Sequence, residues 1–207
     1  MRAAPEQTDE SLLRGARAGD ESAFAALYRR RQAGLYRFAL QMSGSESVAE
    51  DVTQEVFMSL LAASHGFDAA KGSLSSYLYG AARNQVLRRL EREKAYVALA
   101  DENGEACACD EKVLSARQDP LSELARSETV EAVRQAVLAL PLHYREVVVL
   151  CELEEMSYAE AACALGCAVG TVRSRLHRAR ALLVERLKSL DEGKEPADDF
   201  GAARCFA

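Results

Sequence analysis

An all-α fold of two small helical domains, joined by a flexible acidic linker, is predicted from three observations. Apolar residues recur at helical spacing from Glu10 to about Lys94 and again after Glu128, and no segment shows the sustained alternation of a half-buried strand. Periodicity fails between about Ala95 and Ser127, where Asp101, Glu102, Glu105, Asp110 and Glu111 cluster around Gly104 and Pro120 closes the segment. With 207 residues, 49% hydrophobic and no Trp, the chain suits one or two small cores and is short for a large enzyme fold. The expected boundaries are 9–95 for the first domain, 96–127 for the linker, 128–190 for the second domain and 191–207 for an acidic, Gly-containing tail that favours disorder.

The individual elements follow from their stop and start signals. Asp20 is the expected N-cap of a helix carrying Phe24, Leu27, Tyr28, Leu35, Tyr36 and Phe38, broken after Met42 by Gly44 and Ser45. Ser47 with Glu50 forms an S-x-x-E box for the next helix, whose Val48, Val52, Val56 and Leu60 share one side. That helix is expected to end near Ser64 to Gly66, ahead of a loop reaching Gly72. From Ser73 a further helix carries Tyr77, Leu78, Ala81, Ala82, Val86 and Leu90, and its exposed side is basic at Arg83, Arg88, Arg89, Arg92 and Lys94. The second domain is expected to start with a helix through Val130, Val133, Val137 and Leu140, and Pro141 suits the first turn of the helix holding Val147 to Leu153.

The most informative stretch is Ser157 to Arg180. Ser157 and Glu160 form a second S-x-x-E capping box, and Gly166 is a natural C-terminal stop. A second helix is expected to begin near Val169 to Thr171, with Val172, Leu176, Ala179 and Leu183 as its inward stripe. Thr171, Ser174, Arg175 and Arg178 share the outward face, with Arg173, His177 and Arg180 beside them. Guanidinium forks match guanine edges and phosphates, and a capped short helix followed by a tight turn and a basic helix is a helix-turn-helix. Duplex DNA is therefore the expected ligand of this face.

The formal net charge of −6 opposes nucleic acid, so DNA binding must come from locally clustered arginines and is expected to be weak in the free protein. The N-terminus lacks the apolar stretch of a secretory signal and no run is long enough to span a bilayer, so a cytoplasmic protein without membrane insertion is expected. Cys107, Cys109, Cys151, Cys163, Cys167 and Cys205 form no even disulfide framework and are expected to be thiols. Cys163, Cys167 and His177 make only a weak metal set, and no cofactor, metal or catalytic residue is assigned. A paired acid and base or a phosphate-cradling glycine loop does not stand out, so the chain is not expected to be an enzyme.

Two further segments extend the reading. Asp51-Val52-Thr53-Gln54-Glu55-Val56-Phe57 is similar to the D-x-x-Q-E-x-F signature of sigma region two, and Tyr77-Leu78-Tyr79-Gly80-Ala81-Ala82-Arg83-Asn84 to its W-L-x-x-I-A-R-N signature. Leu140-Pro141, Tyr144 to Val147, Ser157 to Glu160 and Gly170 to Leu176 resemble region four. In these residues the chain resembles the sigma-70 family, extracytoplasmic-function group, over about Ser11 to Lys94 and Glu128 to Leu190. Tyr77 and Leu61 stand where the family usually has tryptophan, and Cys151 stands where many relatives place a basic residue on the DNA backbone.

The resemblance implies core RNA polymerase and promoter DNA as partners, an anti-sigma factor as regulator, and transcription initiation as function. The core-binding face would be Asp51, Gln54, Glu55 and Met58, opposite the valine stripe; an ordinary solvated helix face is the alternative. The melted minus-ten element would meet Tyr77, Tyr79, Arg83, Asn84 and Arg88, which supply stacking surfaces, donors and cations, with Phe67 and Lys71 at the rim of a flipped base. Core packing is the alternative for either tyrosine. The minus-thirty-five element would meet Thr171, Arg173, Ser174, Arg175, His177 and Arg178. A helix-turn-helix regulator acting without polymerase, and a thiol-based redox or metal sensor, are the competing functions.

Overall fold

Capping chemistry sets most of the helix ends. The structure, a computed structural model, describes residues 7–62, 67–70, 72–101 and 120–192, with side chains over 7–62, 67–70, 72–93 and 129–188. Helix α1 (Asp9–Arg17) starts at Thr8, whose hydroxyl accepts from the Ser11 amide. Helix α2 (Glu21–Ser43) starts at Asp20, whose carboxylate accepts the amides of Ser22 and Ala23, and stops at Gly44 in the left-handed region at φ 76°.

Helix α3 (Glu46–Ala62) departs from the expected cap. Ser45, not Ser47, takes the N-cap position: its Oγ lies 3.4 Å from the Val48 amide and 3.0 Å from the Ser47 hydroxyl, which sits inside the first turn. Gly44 ends α2 one residue earlier, which leaves Ser45 as the first residue able to cap. Val48, Val52, Val56 and Leu60 are buried as one stripe. Helix α4 (Leu74–Asp101) starts at Ser73, whose Oγ accepts the Ser76 amide at 3.2 Å, and buries Leu78, Ala82 and Val86.

Helix α5 (Pro120–Leu138) begins ahead of the expected boundary, and α4 continues past Ala95, so helix reaches into both ends of the segment read as linker. Residues 63–66, 71, 102–119 and the tail from 193 lie outside the described residues. The expected inward stripe on α5 is only half inward. Val137 is buried, whereas Val130 is 63% exposed and Val133 also faces out, since α5 packs on its neighbours through only part of that stripe.

Helix α6 (Leu142–Val148), preceded by Pro141 at its N-cap, runs directly into a π-helical turn, Val149–Leu153, closed by the Glu154 amide on the Val149 carbonyl at 3.0 Å. Glu155 follows in the left-handed region at φ 54°. Helix α7 (Tyr158–Leu165) has both halves of the expected capping box: Ser157 Oγ accepts the Glu160 amide, and Glu160 accepts the Ser157 amide at 3.1 Å. Gly166 stops it at φ 64°, and α8 (Val169–Glu192) starts three residues later.

Among the described residues the elements are helices and turns. In the first unit α2 packs against α1, α3 and α4; in the second, α6 and α7 pack against α8. Val172, Leu176 and Ala179 are buried beneath α6 and α7, each large side chain stabilising by roughly 2 kcal/mol. The two units also meet. Helix α4 packs along α7, α2 touches α5, α6 and the π-turn, and the buried apolar residues from Leu12 to Ala179 form one connected cluster. At Gly80 the backbones come close, since a Cβ there would stand 3.0 Å from the Ala164 carbonyl oxygen.

Candidate nucleic-acid interface

One face of α4 lines up Tyr77, Gly80, Ala81, Asn84 and Arg88 at one-turn intervals, as helical geometry requires. Phe67 packs edge-on against Tyr77 with ring centroids 5.7 Å apart, so a loop residue and a helix residue make one aromatic wall. That wall borders a cleft of about 430 Å³, with Ser73, Ser76 and Asn84 adding donors and acceptors and Cys163 and Ala164 of α7 closing the far side. A cleft of this size with an aromatic wall and amide donors fits one unstacked base. Asn84 and Arg88 are exposed, and Lys71 lies outside the described residues.

Tyr79 and Arg83 point elsewhere. Tyr79 is 7% exposed, its ring meets Phe38 edge-on at 5.5 Å, and its hydroxyl donates to Glu154 at 2.7 Å. Burial first, and then the Glu154 carboxylate, hold its phenol well above the ordinary value. Arg83 donates from Nε to Glu146 at 2.6 Å, and that carboxylate is 2% exposed. Both tyrosine and arginine therefore face the second unit.

Glu154 also receives Arg37, from Nε at 3.1 Å and from the terminal nitrogen at 3.2 Å, in a two-pronged contact. Arg145 reaches back the other way. Its guanidinium donates to the Met42 carbonyl at 2.6 Å, one of the last carbonyls of α2, and to those of Leu138 and Leu140. Burial lowers the Arg145 pKa. These cross-unit partners were not legible in the sequence, because pairs separated by 63, 75, 103 and 117 residues leave no periodic trace.

On α3, Asp51, Gln54, Glu55 and Met58 all lie on the exposed side. Arg89 of α4 bridges Asp51 at 2.8 Å and Glu55 at 2.9 Å, so the acidic face is partly neutralised by a residue counted in sequence with the basic side of α4. Beside it, Tyr28, Gln32, Tyr36, Arg37, Asp51 and Gln54 line a second cleft of about 520 Å³ between α2 and α3.

On α8, Arg173, Ser174, His177 and Arg178 are exposed, and Thr171 and Arg175 are half-buried. The Ser174 hydroxyl bonds the Thr171 carbonyl at 3.0 Å, and the Arg173 guanidinium lies 5.8 Å above the Tyr158 ring. Arg180 is tied to Glu152 of the π-turn at 3.1 Å. Cys151 is half-buried, and burial followed by the Glu152 charge pushes its thiol up to about 11. Among the described residues no group of three or more His, Cys, Asp or Glu side chains is placed to hold a metal, and no helix is long and apolar enough to cross a membrane.

Comparison with known proteins bears on the family and the fold. Residues 27–96 match the family model for sigma-70 region 2, and residues 130–183 match that for sigma-70 region 4. The chain is 35% identical over 190 residues to the ECF RNA polymerase sigma factor SigM of Mycobacterium tuberculosis, covering 91% of this chain and 89% of that one. It is 30% identical to the ECF RNA polymerase sigma factor SigW of Bacillus subtilis, covering 83% and 92%. Among solved structures it is similar to the sigma factor RpoE of Bartonella quintana in complex with the anti-sigma factor NepR, with TM-score 0.65, 26% identity and coverage of 80% and 96%. It is also similar to CnrH in complex with the cytosolic domain of CnrY, with TM-score 0.63, 27% identity and coverage of 90% and 99%. Both regions match in the expected order, which disfavours the stand-alone regulator and the thiol sensor. The chain belongs to the sigma-70 family, as an extracytoplasmic-function sigma factor that directs transcription initiation.

Proposed function

We propose that this sigma factor captures the melted minus-ten strand on α4 and reads the minus-thirty-five duplex with α8, while the exposed side of α3 carries the contact with core RNA polymerase. The observation that carries the strand assignment is the aromatic wall that Phe67 and Tyr77 form along the α4 face. Asn84 at its edge offers an amide to a base edge, and Arg88 one α4 turn further on continues the track for phosphates. Tyr79 and Arg83 join this track once the second unit moves away.

On α8, Thr171, Arg173, Ser174, Arg175, His177 and Arg178 form the duplex-facing set. Arg173 held over Tyr158 is pre-oriented, which lowers the entropy lost on contact. On α3, Asp51, Gln54, Glu55 and Met58 form the polymerase-facing set, the exposed thioether of Met58 lying beside the carboxylates. The chain supplies binding and strand capture in the cytoplasm, and the polymerase supplies the chemistry. An anti-sigma factor is the expected regulator, since similar sigma factors are known in complex with such partners.

Run-off transcription and permanganate footprinting with reconstituted holoenzyme test the strand assignment. Tyr77→Ala and Asn84→Ala are expected to reduce strand opening while leaving polymerase association intact; unchanged footprints in both variants would remove α4 from the role.

A further inference from the structure

Three of the polar contacts that join the two units share one chemistry. From the first unit come two guanidinium groups and a phenol, Arg37, Arg83 and Tyr79; from the second come two carboxylates, Glu146 and Glu154. Glu146 is almost fully buried, and the Glu154 side chain is only 4% exposed. Glu154 presents both oxygens to Arg37 and Tyr79, and Glu146 presents one to Arg83, donors that suit phosphate oxygens equally well.

We propose that Glu146 and Glu154 act as phosphate surrogates, holding the second unit over the strand-binding side of α4 when DNA is absent, and that Arg37 is a further phosphate-binding residue uncovered when the units separate. The proposal rests on the reading of Tyr79 and Arg83 as minus-ten contacts.

Three features support a docked arrangement built for release. Gly80 brings α7 against α4 through the Ala164 backbone, a contact that any side chain would obstruct. Gly34 clears the space for Tyr79 and Glu154, because a Cβ there would stand 2.6 Å from the phenol oxygen and 2.9 Å from the carboxylate. Arg37 is largely exposed although its partner is not, so a strand can approach its open side and displace the carboxylate by competition. Competition at the exposed Arg37 end, more than salt screening of the buried carboxylates, is what would weaken the contact.

The test uses the free full-length chain with a fluorescein-labelled single-stranded DNA of mixed sequence, alongside small-angle scattering. Glu154→Ala removes the surrogate, and Ala164→Leu, on the α7 side of the Gly80 contact, pries the helices apart without touching a charge. Both variants are expected to enlarge the radius of gyration and to tighten single-strand binding by about tenfold, as removal of a closed population requires. Adding Arg37→Ala to Glu154→Ala is expected to cancel most of the gain.

An unchanged radius in both variants overturns the docking role. A larger radius without tighter binding overturns the masking, and full binding after Arg37→Ala overturns the assignment of that arginine. Failure of the underlying minus-ten reading shows separately: holoenzyme carrying Tyr79→Phe with Arg83→Ala would then open promoters normally, while scattering still reports the release of the docked units.

Discussion

Arg83 Nε lies 2.6 Å from a Glu146 carboxylate oxygen, joining α4 of region two to α6 of region four across 63 residues of chain. Breaking a buried pair from one side strands the other charge. Arg83→Ala is therefore expected to cost about 3 kcal/mol in urea unfolding of the free protein. Combining it with Glu146→Gln is expected to recover much of that loss, and strict additivity in the double-mutant cycle would show that the two groups do not interact.

Ser157 and Glu160 satisfy each other's backbone donors at the start of α7. Ser157→Ala removes one half of that exchange and is expected to lower stability by about 1 kcal/mol. A melting temperature equal to the parent's would contradict it.

Arg175 and Arg178 lie on the outward side of α8, whereas Arg180 is already engaged by Glu152. Alanine at either of the first two is expected to weaken minus-thirty-five binding by about 1–3 kcal/mol and to flatten its salt dependence. Arg180→Ala is expected to do less. Holoenzyme gel shifts at several salt concentrations would rank the three.

Leu176 is buried where α8 meets α6 and α7. Leu176→Ala is expected to cost about 2–5 kcal/mol by leaving a cavity under the recognition helix. Calorimetry of the variant gives the figure directly, and a loss below about 1 kcal/mol would mean the site collapses around the smaller side chain.

The Asp20 carboxyl is held below the ordinary carboxylate range, chiefly by the Ser22 hydroxyl and then by the Ala23 amide. A depressed folded pKa favours folding above the unfolded value and loses that effect as pH falls through the folded one. The Asp20 contribution is thus expected to be complete above about pH 5 and to fade as pH falls below about 4. Asp20→Asn, which keeps an acceptor without a titration, is expected to shallow the acid limb of the stability profile; identical acid limbs would exclude the cap as a source.

Much of the fold was legible because its signals are local. Asp20, Gly44, Ser157 with Glu160, and Gly166 act within a turn of their own position, and the Val48 to Leu60 stripe repeats every turn. Ser45 was missed because two serines stand two apart, and the choice between them falls to the residue at which α2 stops. Val130 and Val133 misled because apolar spacing records a face without recording whether another helix covers it. The line of Tyr77 and Asn84 was visible as helical spacing. The roles of Arg37, Glu146 and Glu154 were not, since only folding brings those charges together.

The π-turn at Val149–Leu153 carries one residue more than an α-helical path would need. Each residue of an α-helix turns the chain by about 100°, so deleting one position there would regularise the helix and swing Glu152 and Glu154 away from Arg180, Arg37 and Tyr79 together. A single surplus amino acid thus phases the recognition helix and the interdomain contact at once, and a one-codon deletion, harmless to helix formation, would uncouple both.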